Sequence, residues 1–309
     1  MRKKTILHLL LFAIMGMTIL TITACSSGNY QTNTYEANEE FSNISIKINT
    51  ADVAFVPSND EACKVPLYEK KNQKHTVEVN NGTLMISGDK EWFDYIGIGN
   101  NDRPKITVHL PKDEYSSLVI EESTGDIEIS KDFEFKSVVI SVSTGDVKFY
   151  ASSTESIKIA ATTGDLFVED ISASSLDLAV TTGKVNVSGV SCEGDIAIGV
   201  STGETRLTDV ACKNLTSAGT TGDISLNNVV VTEKLSIERT TGDVKFDGSD
   251  AAEILVETTT GYIEGSLLTD KVFITETDTG RIDVPDSTIG GRCEIITDTG
   301  DIKISISED

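Results

Sequence analysis

One short motif, repeated ten times between residue 123 and residue 301, constrains this chain more than any other feature. In each copy a hydroxyl residue or Asp precedes Thr and Gly, and Asp usually follows. The motif glycines are Gly125, Gly145, Gly164, Gly183, Gly203, Gly222, Gly242, Gly261, Gly280 and Gly300. Every interval between them is 19 or 20 residues, and so regular a period is typical of stacked repeat architectures.

Apolar residues alternate on both sides of each Thr-Gly pair. Positions two and four after Gly are apolar in nearly every copy, and so is the position five before it. This alternation predicts two short strands per repeat, each with one buried face, and a corner at Gly. A meander with a hairpin at each Thr-Gly is the alternative, but the constant period favours a coil that must return to register. We therefore predict an all-β parallel β-solenoid with about 19–20 residues per coil.

The first residues of the chain predict export. A basic segment, residues 2–4, precedes an apolar run that ends at Cys25. This pattern resembles a bacterial lipoprotein signal, in which residues 1–24 are removed and Cys25 is lipidated. An uncleaved membrane anchor is the alternative reading. Either way, we expect a chain tethered to the outer face of the cell membrane, with residues 25–40 as a polar linker.

Residues 41–116 carry a weaker version of the repeat, which we interpret as degenerate initial coils and a cap. The ten-coil solenoid then occupies residues 117–309. An insert within the first of these regions holds Trp92, Phe93 and Tyr95, three aromatic residues within four positions. These side chains either cap the core or form an exposed loop that binds a glycan or protein partner.

The chain is strongly acidic, with 49 Asp and Glu residues against 26 Lys and Arg residues and a formal net charge of −23. Such a charge repels phosphate backbones, so we predict no nucleic-acid partner. Solubility is the plain explanation for the acidity, and cation binding is a more specific one.

The residue directly after the motif Gly is the best candidate for chemistry. These positions form an acidic column in which seven of the ten residues are Asp or Glu, and its candidate calcium ligands are Asp126, Asp146, Asp165, Asp223 and Asp243. Stacked carboxylates repel one another, and calcium binding would relieve that repulsion. Lys184, Tyr262 and Arg281 interrupt the column, however, and an Asp can also accept hydrogen bonds from turn amides. We predict no cofactor and no metal site, and calcium remains the alternative.

Cys192 and Cys212 each lie nine residues after a motif Gly and should therefore stack on successive coils. Neighbouring strands are about 4.8 Å apart, within the Cα range of a disulfide. A disulfide and a pair of buried thiols are both compatible with this spacing. The few histidines and the lack of any CxxC pair argue against zinc.

No catalytic constellation is apparent in the sequence. The chain has no His after residue 109, and each motif Gly stands alone rather than in a phosphate-binding loop. We therefore predict that the protein is not an enzyme. A polysaccharide-acting enzyme is the alternative, because some β-helical enzymes use paired carboxylates on one face.

The signal, the weak initial coils and the serial STGD, TTGD and DTGD corners resemble the bacterial putative-adhesin family of β-strand-repeat proteins. The resemblance covers roughly residues 40–309. It implies a right-handed parallel β-helix displayed outside the cytoplasmic membrane, and it carries no catalytic residues. The implied function is a non-catalytic binding or adhesion module. The alternative is a structural or regulatory envelope protein that self-assembles or contacts a membrane stress sensor.

Overall fold

The computed structural model describes residues 19–20, 30–60, 62–88 and 103–307. Strands and turns make up these ranges, and they contain no helix that could span a membrane. In chain order the strands are β1 Ile19–Leu20, β2 Tyr30–Ala37, β3 Asn43–Thr50, β4 Asp52–Pro57, β5 Cys63–Lys70, β6 His75–Asn80, β7 Thr83–Gly88, β8 Lys105–Leu110, β9 Glu114–Thr124, β10 Ile127–Ile129, β11 Glu134–Thr144, β12 Val147–Phe149, β13 Ser152–Thr163 and β14 Leu166–Glu169. They continue with β15 Ser172–Ala173, β16 Ser175–Thr182, β17 Val185–Cys192, β18 Asp195–Thr202, β19 Thr205–Cys212, β20 Asn214–Thr221, β21 Ile224–Thr241, β22 Val244–Thr260, β23 Ile263–Leu267, β24 Lys271–Thr279, β25 Ile282–Asp283, β26 Gly291–Thr299 and β27 Ile302–Ile306.

The coils stack in parallel, and their Thr-Gly corners stay in register. Before the corner, β11 pairs with β13 and β13 with β16, so that Thr144, Thr163 and Thr182 lie in line. After the corner, β12 pairs with β14, and Val147 lies opposite Leu166. A constant period therefore produces a constant register. The predicted all-β solenoid is confirmed.

A single apolar core runs through the stack. The residues two positions after the motif Gly are buried in nine of the ten copies, and Val147, Leu166 and Val185 are all 0% exposed. Phe149 and Phe246, four positions after their glycines, are likewise buried. Burial of a side chain of this size contributes about 1.5–3 kcal/mol, so the stacked columns supply most of the driving force for folding.

The Thr-Gly corner requires glycine because successive corners are in close contact. Gly203 has φ 143°, a conformation that side-chain-bearing residues rarely adopt. A Cβ atom on Gly203 would lie 1.8 Å from the carbonyl oxygen of Gly183 in the coil below. The backbones also bond across this contact, where the Gly183 amide donates to the Thr202 carbonyl over 3.0 Å.

A second turn lies six residues after the motif Gly in the central coils, and the expectation of two simple strands per coil did not include it. The backbone enters the left-handed region there, which Asn, Asp and Gly tolerate best. The residues are Asp170 (φ 55°), Gly189 (φ 62°), Asp209 (φ 53°), Asn228 (φ 51°) and Gly248 (φ 55°). Each of these coils therefore has two bends, one at the Thr-Gly corner and one six residues later. The second bend kinks the chain that follows the corner.

The first coil in sequence is not the first coil in space. Strands β3 and β4 pair on one side with β7 and β8, and on the other side with β9 and β10. The chain thus runs outward after β4, forms the terminal coil, and returns past its own beginning. As a result, the initial strands are held between two later ones.

The same arrangement occurs at the other end of the rod. Strands β26 and β27 pair with β22 and β23 on one side and with β24 and β25 on the other. Accordingly, the Gly261 amide donates to the Thr299 carbonyl over 2.9 Å, and the Gly300 amide donates to the Thr279 carbonyl over 3.0 Å. The last coil in the sequence therefore lies, in space, between the two coils that precede it in the sequence.

The two ends of the rod differ in how they are covered. At the β7/β8 end, β6 and β5 continue the sheets in antiparallel fashion, and β2 pairs with β5 beyond them. At the opposite end, β24 and β25 have no described strand on their outer side. Twelve coil levels at about 4.8 Å make the rod about 50 Å long. Among the strands that the structure describes, one end of the rod is capped and the other, which we call the open end, is not.

Candidate functional site

The acidic column after the motif Gly forms a hydrogen-bonded ladder along one edge of the rod. In each case the carboxylate accepts a hydrogen bond from the backbone amide of the equivalent residue in the next coil. The bonds run from the Asp146 amide to Asp126 (2.9 Å), Asp165 to Asp146 (2.8 Å), Lys184 to Asp165 (2.8 Å), Asp243 to Asp223 (2.9 Å) and Tyr262 to Asp243 (2.8 Å). Such charge-assisted bonds join successive coils.

This ladder gives the acidic column a structural role. Each carboxylate and the amide that donates to it belong to successive coils. The sequence alone predicted hydrogen bonds from turn amides, without indicating whether those amides lie in the same coil or in the next one. Throughout the described ranges, no group of three or more His, Cys, Asp or Glu side chains is placed to hold a metal ion. The carboxylates therefore contribute to stacking, and their side chains do not converge on a common centre.

Two of the predicted functional features lie outside the described residues. These are Cys25, the predicted lipidation site, and the aromatic insert with Trp92, Phe93 and Tyr95. The points where the insert joins the fold are nevertheless defined. It leaves after β7 and rejoins before β8, where the Asp52 amide donates to the Pro104 carbonyl over 2.9 Å. The described chain on either side of the insert therefore belongs to the terminal coil, formed by β7 and β8.

Cys192 and Cys212 are free, buried thiols at equivalent positions of successive coils. Burial raises the pKa of Cys212 to about 12, with a smaller contribution from neighbouring Cys192. Burial also raises the pKa of Cys192. A thiol with a raised pKa is a poor nucleophile at neutral pH, so this pair has the character of core residues.

A shallow groove of about 600 Å³ lies on the outer face, across the strands that lead to the corner. We call it the hydroxyl groove. Its floor is a column of small residues four positions before the motif Gly, Ser141, Ala160, Ala179, Gly199 and Ala218. Beside the floor runs a column of hydroxyl residues two positions before Gly, Thr162, Thr181, Ser201, Thr220 and Thr240.

Parallel pairing makes the hydroxyl groove continuous. Ala160 lies opposite Ala179, Ala179 opposite Gly199, and Gly199 opposite Ala218. Because small side chains stack in register, they leave a continuous depression over several coils. The hydroxyl groups beside it recur about every 4.8 Å along the rod. Glu238 is the one ionisable residue in the lining, so the groove is nearly uncharged on an otherwise acidic chain.

A family model described as Toastrack DUF4097 matches residues 41–201 and again residues 193–309. The chain belongs to this family. Among solved structures, the Toastrack chain resembles a putative adhesin from Parabacteroides distasonis ATCC 8503 at 11% identity and TM-score 0.56, covering 77% of this chain and 98% of that one. It also resembles a putative adhesin from Parabacteroides merdae ATCC 43184 at 12% identity and TM-score 0.53, covering 77% of this chain and 97% of that one.

A third structure similar to the Toastrack chain is a putative lipid binding protein from Parabacteroides distasonis ATCC 8503. It is 18% identical with TM-score 0.51, and the match covers 77% of this chain and 97% of that one. No curated protein matches the chain by sequence. At these identities the structures establish a shared fold, and the predicted resemblance to putative-adhesin repeat proteins is confirmed.

At the position three before the motif Gly, two ionisable side chains of the Toastrack chain are buried. Arg239 is 3% exposed, and its Nη2 donates to Ser217 Oγ over 2.8 Å. Its Nη1 donates to the Glu238 carbonyl over 2.9 Å. Burial lowers the Arg239 pKa to about 10. Gly219, in the adjacent coil, leaves room for the guanidinium, since a Cβ there would lie 3.1 Å from Nη1.

Glu122, at the equivalent position nearer the cap, is 5% exposed. Its Oε1 accepts a hydrogen bond from the Ala51 amide over 3.1 Å, whereas its buried Oε2 has no hydrogen-bond partner. Burial raises the pKa of Glu122 from 4.5 to about 8, the Ala51 hydrogen bond opposes this, and the charges of Asp52 and Asp126 add to it. The carboxyl is therefore protonated in the folded chain at neutral pH.

This raised pKa predicts that the chain loses stability as the solution becomes alkaline. A raised folded-state pKa gives a contribution that is fully present below pH 4.5 and is lost as the pH rises through about 8. Glu122→Gln keeps the shape and removes the charge. We expect this variant to melt well above the parent at pH 9 and close to it at pH 4.5. Equal melting temperatures at both pH values would contradict the assignment.

Proposed function

We propose that this Toastrack chain is a non-catalytic binding module on the outer face of a bacterial cell membrane, and that its hydroxyl groove holds an extended glycan. The observation that carries the proposal is the groove itself, a continuous row of hydroxyls and small residues across five coils. A repeating ligand fits a surface that repeats about every 4.8 Å.

The chemistry of the hydroxyl groove favours a glycan over an extended peptide. The backbone groups of these strands already pair with neighbouring coils, so a peptide could not add to the sheet through main-chain hydrogen bonds. Serine and threonine hydroxyls both donate and accept, as sugar hydroxyls do. The nearly uncharged lining suits a neutral polymer.

Binding without hydrolysis also agrees with the composition of the groove. Glycoside hydrolases generally need two carboxyl groups about 5–9.5 Å apart across the bond that they cleave. The described lining contains a single carboxylate, that of Glu238, at one end. A protein with this groove can retain a polymer but lacks there the acid and base pair that would cut it.

Gly199→Arg tests the groove directly. A Cβ on Gly199 would have no neighbour within 4 Å, so an arginine can project into the groove without disturbing the backbone. We expect at least a tenfold loss of binding to purified envelope polysaccharide and peptidoglycan in a sedimentation assay. Thr216→Arg, on the same outer face but outside the lining, is the matched control and should bind as the parent does. Equal binding by both variants would remove the groove from consideration.

The aromatic insert remains the second candidate binding surface, because Trp92, Phe93 and Tyr95 fall within four positions of the sequence. A Trp92→Ala/Phe93→Ala double variant belongs in the same assay. Loss of binding in this variant, with Gly199→Arg unaffected, would place recognition on the insert.

The proposed location rests on the signal sequence that ends at Cys25. Substitution by serine removes the sulfur to which a lipid would be attached. We expect Cys25→Ser to move the protein from the membrane fraction to the soluble exported fraction. Retention of the variant in the membrane would favour an uncleaved anchor instead.

A further inference from the structure

The open end of the rod exposes residues that are buried in every neighbouring coil. Ile282, two positions after its motif Gly, is 45% exposed, whereas the equivalent Ile263 and Ile302 are 0% exposed. Phe273 pairs with fully buried Cys293 but is itself only partly buried. The stacked apolar residues of the core are thus exposed to solvent in the coil formed by β24 and β25.

Exposed apolar side chains are concentrated at this end. Eight large apolar side chains are exposed among the described residues, and five of them lie between residues 268 and 289. They are Leu268 (43%), Val272 (38%), Ile274 (47%), Ile282 (45%) and Ile289 (65%). Strand β24 pairs with β26 alone among the strands described, so one side of its backbone also has free hydrogen-bonding groups. An apolar end with a free strand edge is a surface for pairing.

We propose that this open end binds a second copy of the chain, end to end, through antiparallel pairing of β24 with the same strand of the partner. Under a two-fold axis a strand edge meets itself in antiparallel orientation. With Thr275 at the axis, Ile274 lies opposite the partner's Glu276, and Val272 lies opposite the partner's Asp278. No like charges then face each other directly, and Phe273 and the inward face of each copy meet across the junction.

The rest of the rod limits the alternatives. The parallel ladder does not continue from head to tail, because β5 and β6 at the opposite end run antiparallel to the strands of the coils. The insert at residues 89–102 joins the fold eleven levels away, about 50 Å. Its fourteen residues, which must leave and return, reach at most about 24 Å. The structure therefore favours a closed pair of rods with a cap at each outer end.

Sedimentation velocity of the full chain carrying Cys25→Ser tests the pairing. We expect a concentration-dependent monomer–dimer equilibrium with an elongated dimer. Ile274→Lys and Ile282→Lys, both at exposed positions that tolerate lysine, should each raise the dimer dissociation constant at least tenfold. Val230→Lys, at a residue that is 41% exposed in the middle of the rod, is the matched control and should dimerise as the parent does.

A cross-linking experiment fixes the register. The double variant Ile274→Cys/Glu276→Cys should form an interchain disulfide on mild oxidation. Gly199→Arg should dimerise normally, so failure of groove binding and failure of pairing are separate results. A parent that stays monomeric at high concentration, or a dimer that survives both lysine substitutions, would overturn the proposal.

Discussion

Replacing Gly203 with alanine should destabilise the chain by about 3 kcal/mol or more, a large effect for a single methyl group. The added Cβ would lie 1.8 Å from the Gly183 carbonyl oxygen, and φ 143° is itself unfavourable for alanine. The backbone of Gly203 cannot move away to relieve this contact, because its amide donates to the Thr221 carbonyl of the next coil over 2.9 Å. Thermal and urea unfolding measure the loss.

Gly199→Ala provides the matched control within the same coil. Gly199 lies four residues before Gly203, on the outer face, and a Cβ there meets nothing within 4 Å. We expect this change to stay within about 0.5 kcal/mol of the parent. If the two substitutions cost the same, the corner contact is not what requires glycine.

Deleting residues 291–309 should unfold two coils, although it removes the sequence of only one. Strands β24 and β25 pair only with β26 and β27 among the described strands, so the deletion leaves them without a ladder. We expect backbone amides of residues 271–283 to exchange with deuterium at the rate of an unfolded chain, while those of β20 and β21 stay protected. Hydrogen exchange with mass spectrometry resolves these segments.

The same deletion distinguishes the observed coil order from simple sequential stacking. In a sequential stack, residues 271–283 would remain packed on the coil of Gly261 and would keep their protection. Protection of residues 271–283 after the deletion would therefore contradict the insertion of the last coil between the two before it.

The repeat predicted the fold class because its period and its alternation express the same physical requirement, a coil that returns to register with one face buried. The second turn also has a sequence signal, because Asp, Asn or Gly recurs six residues after successive motif glycines. These residues are Asp170, Gly189, Asp209, Asn228 and Gly248. Alternation of apolar residues does not reveal it, since the signal there is tolerance of a left-handed backbone.

The order of the end coils could not be predicted from the motif. Every Thr-Gly corner has nearly the same local chemistry, so the coil of Gly300 can stack on that of Gly261 or that of Gly280 with similar contacts. The choice depends on the connections between coils and on burial of particular residues, such as Cys293 between Ile254 and Phe273. These are long-range properties that local periodicity does not contain.

The hydroxyl groove illustrates a different gap between sequence and structure. The acidic column drew attention because charge suggests chemistry, yet each of its carboxylates bonds to a backbone amide. The groove is marked by small residues such as Ala179 and Gly199, whose significance appears only when successive coils are stacked. Small residues that do not stand out in the sequence thus form the floor of this groove.

Site-specific photo-crosslinking on intact cells tests the proposed function most directly. A photoreactive amino acid is placed at Gly199 in the hydroxyl groove and, in a separate variant, at Thr216 outside it. We expect a glycan-containing adduct from position 199 and none from position 216. Equal labelling at the two positions, or adducts only from a probe at Trp92, would contradict recognition in the groove.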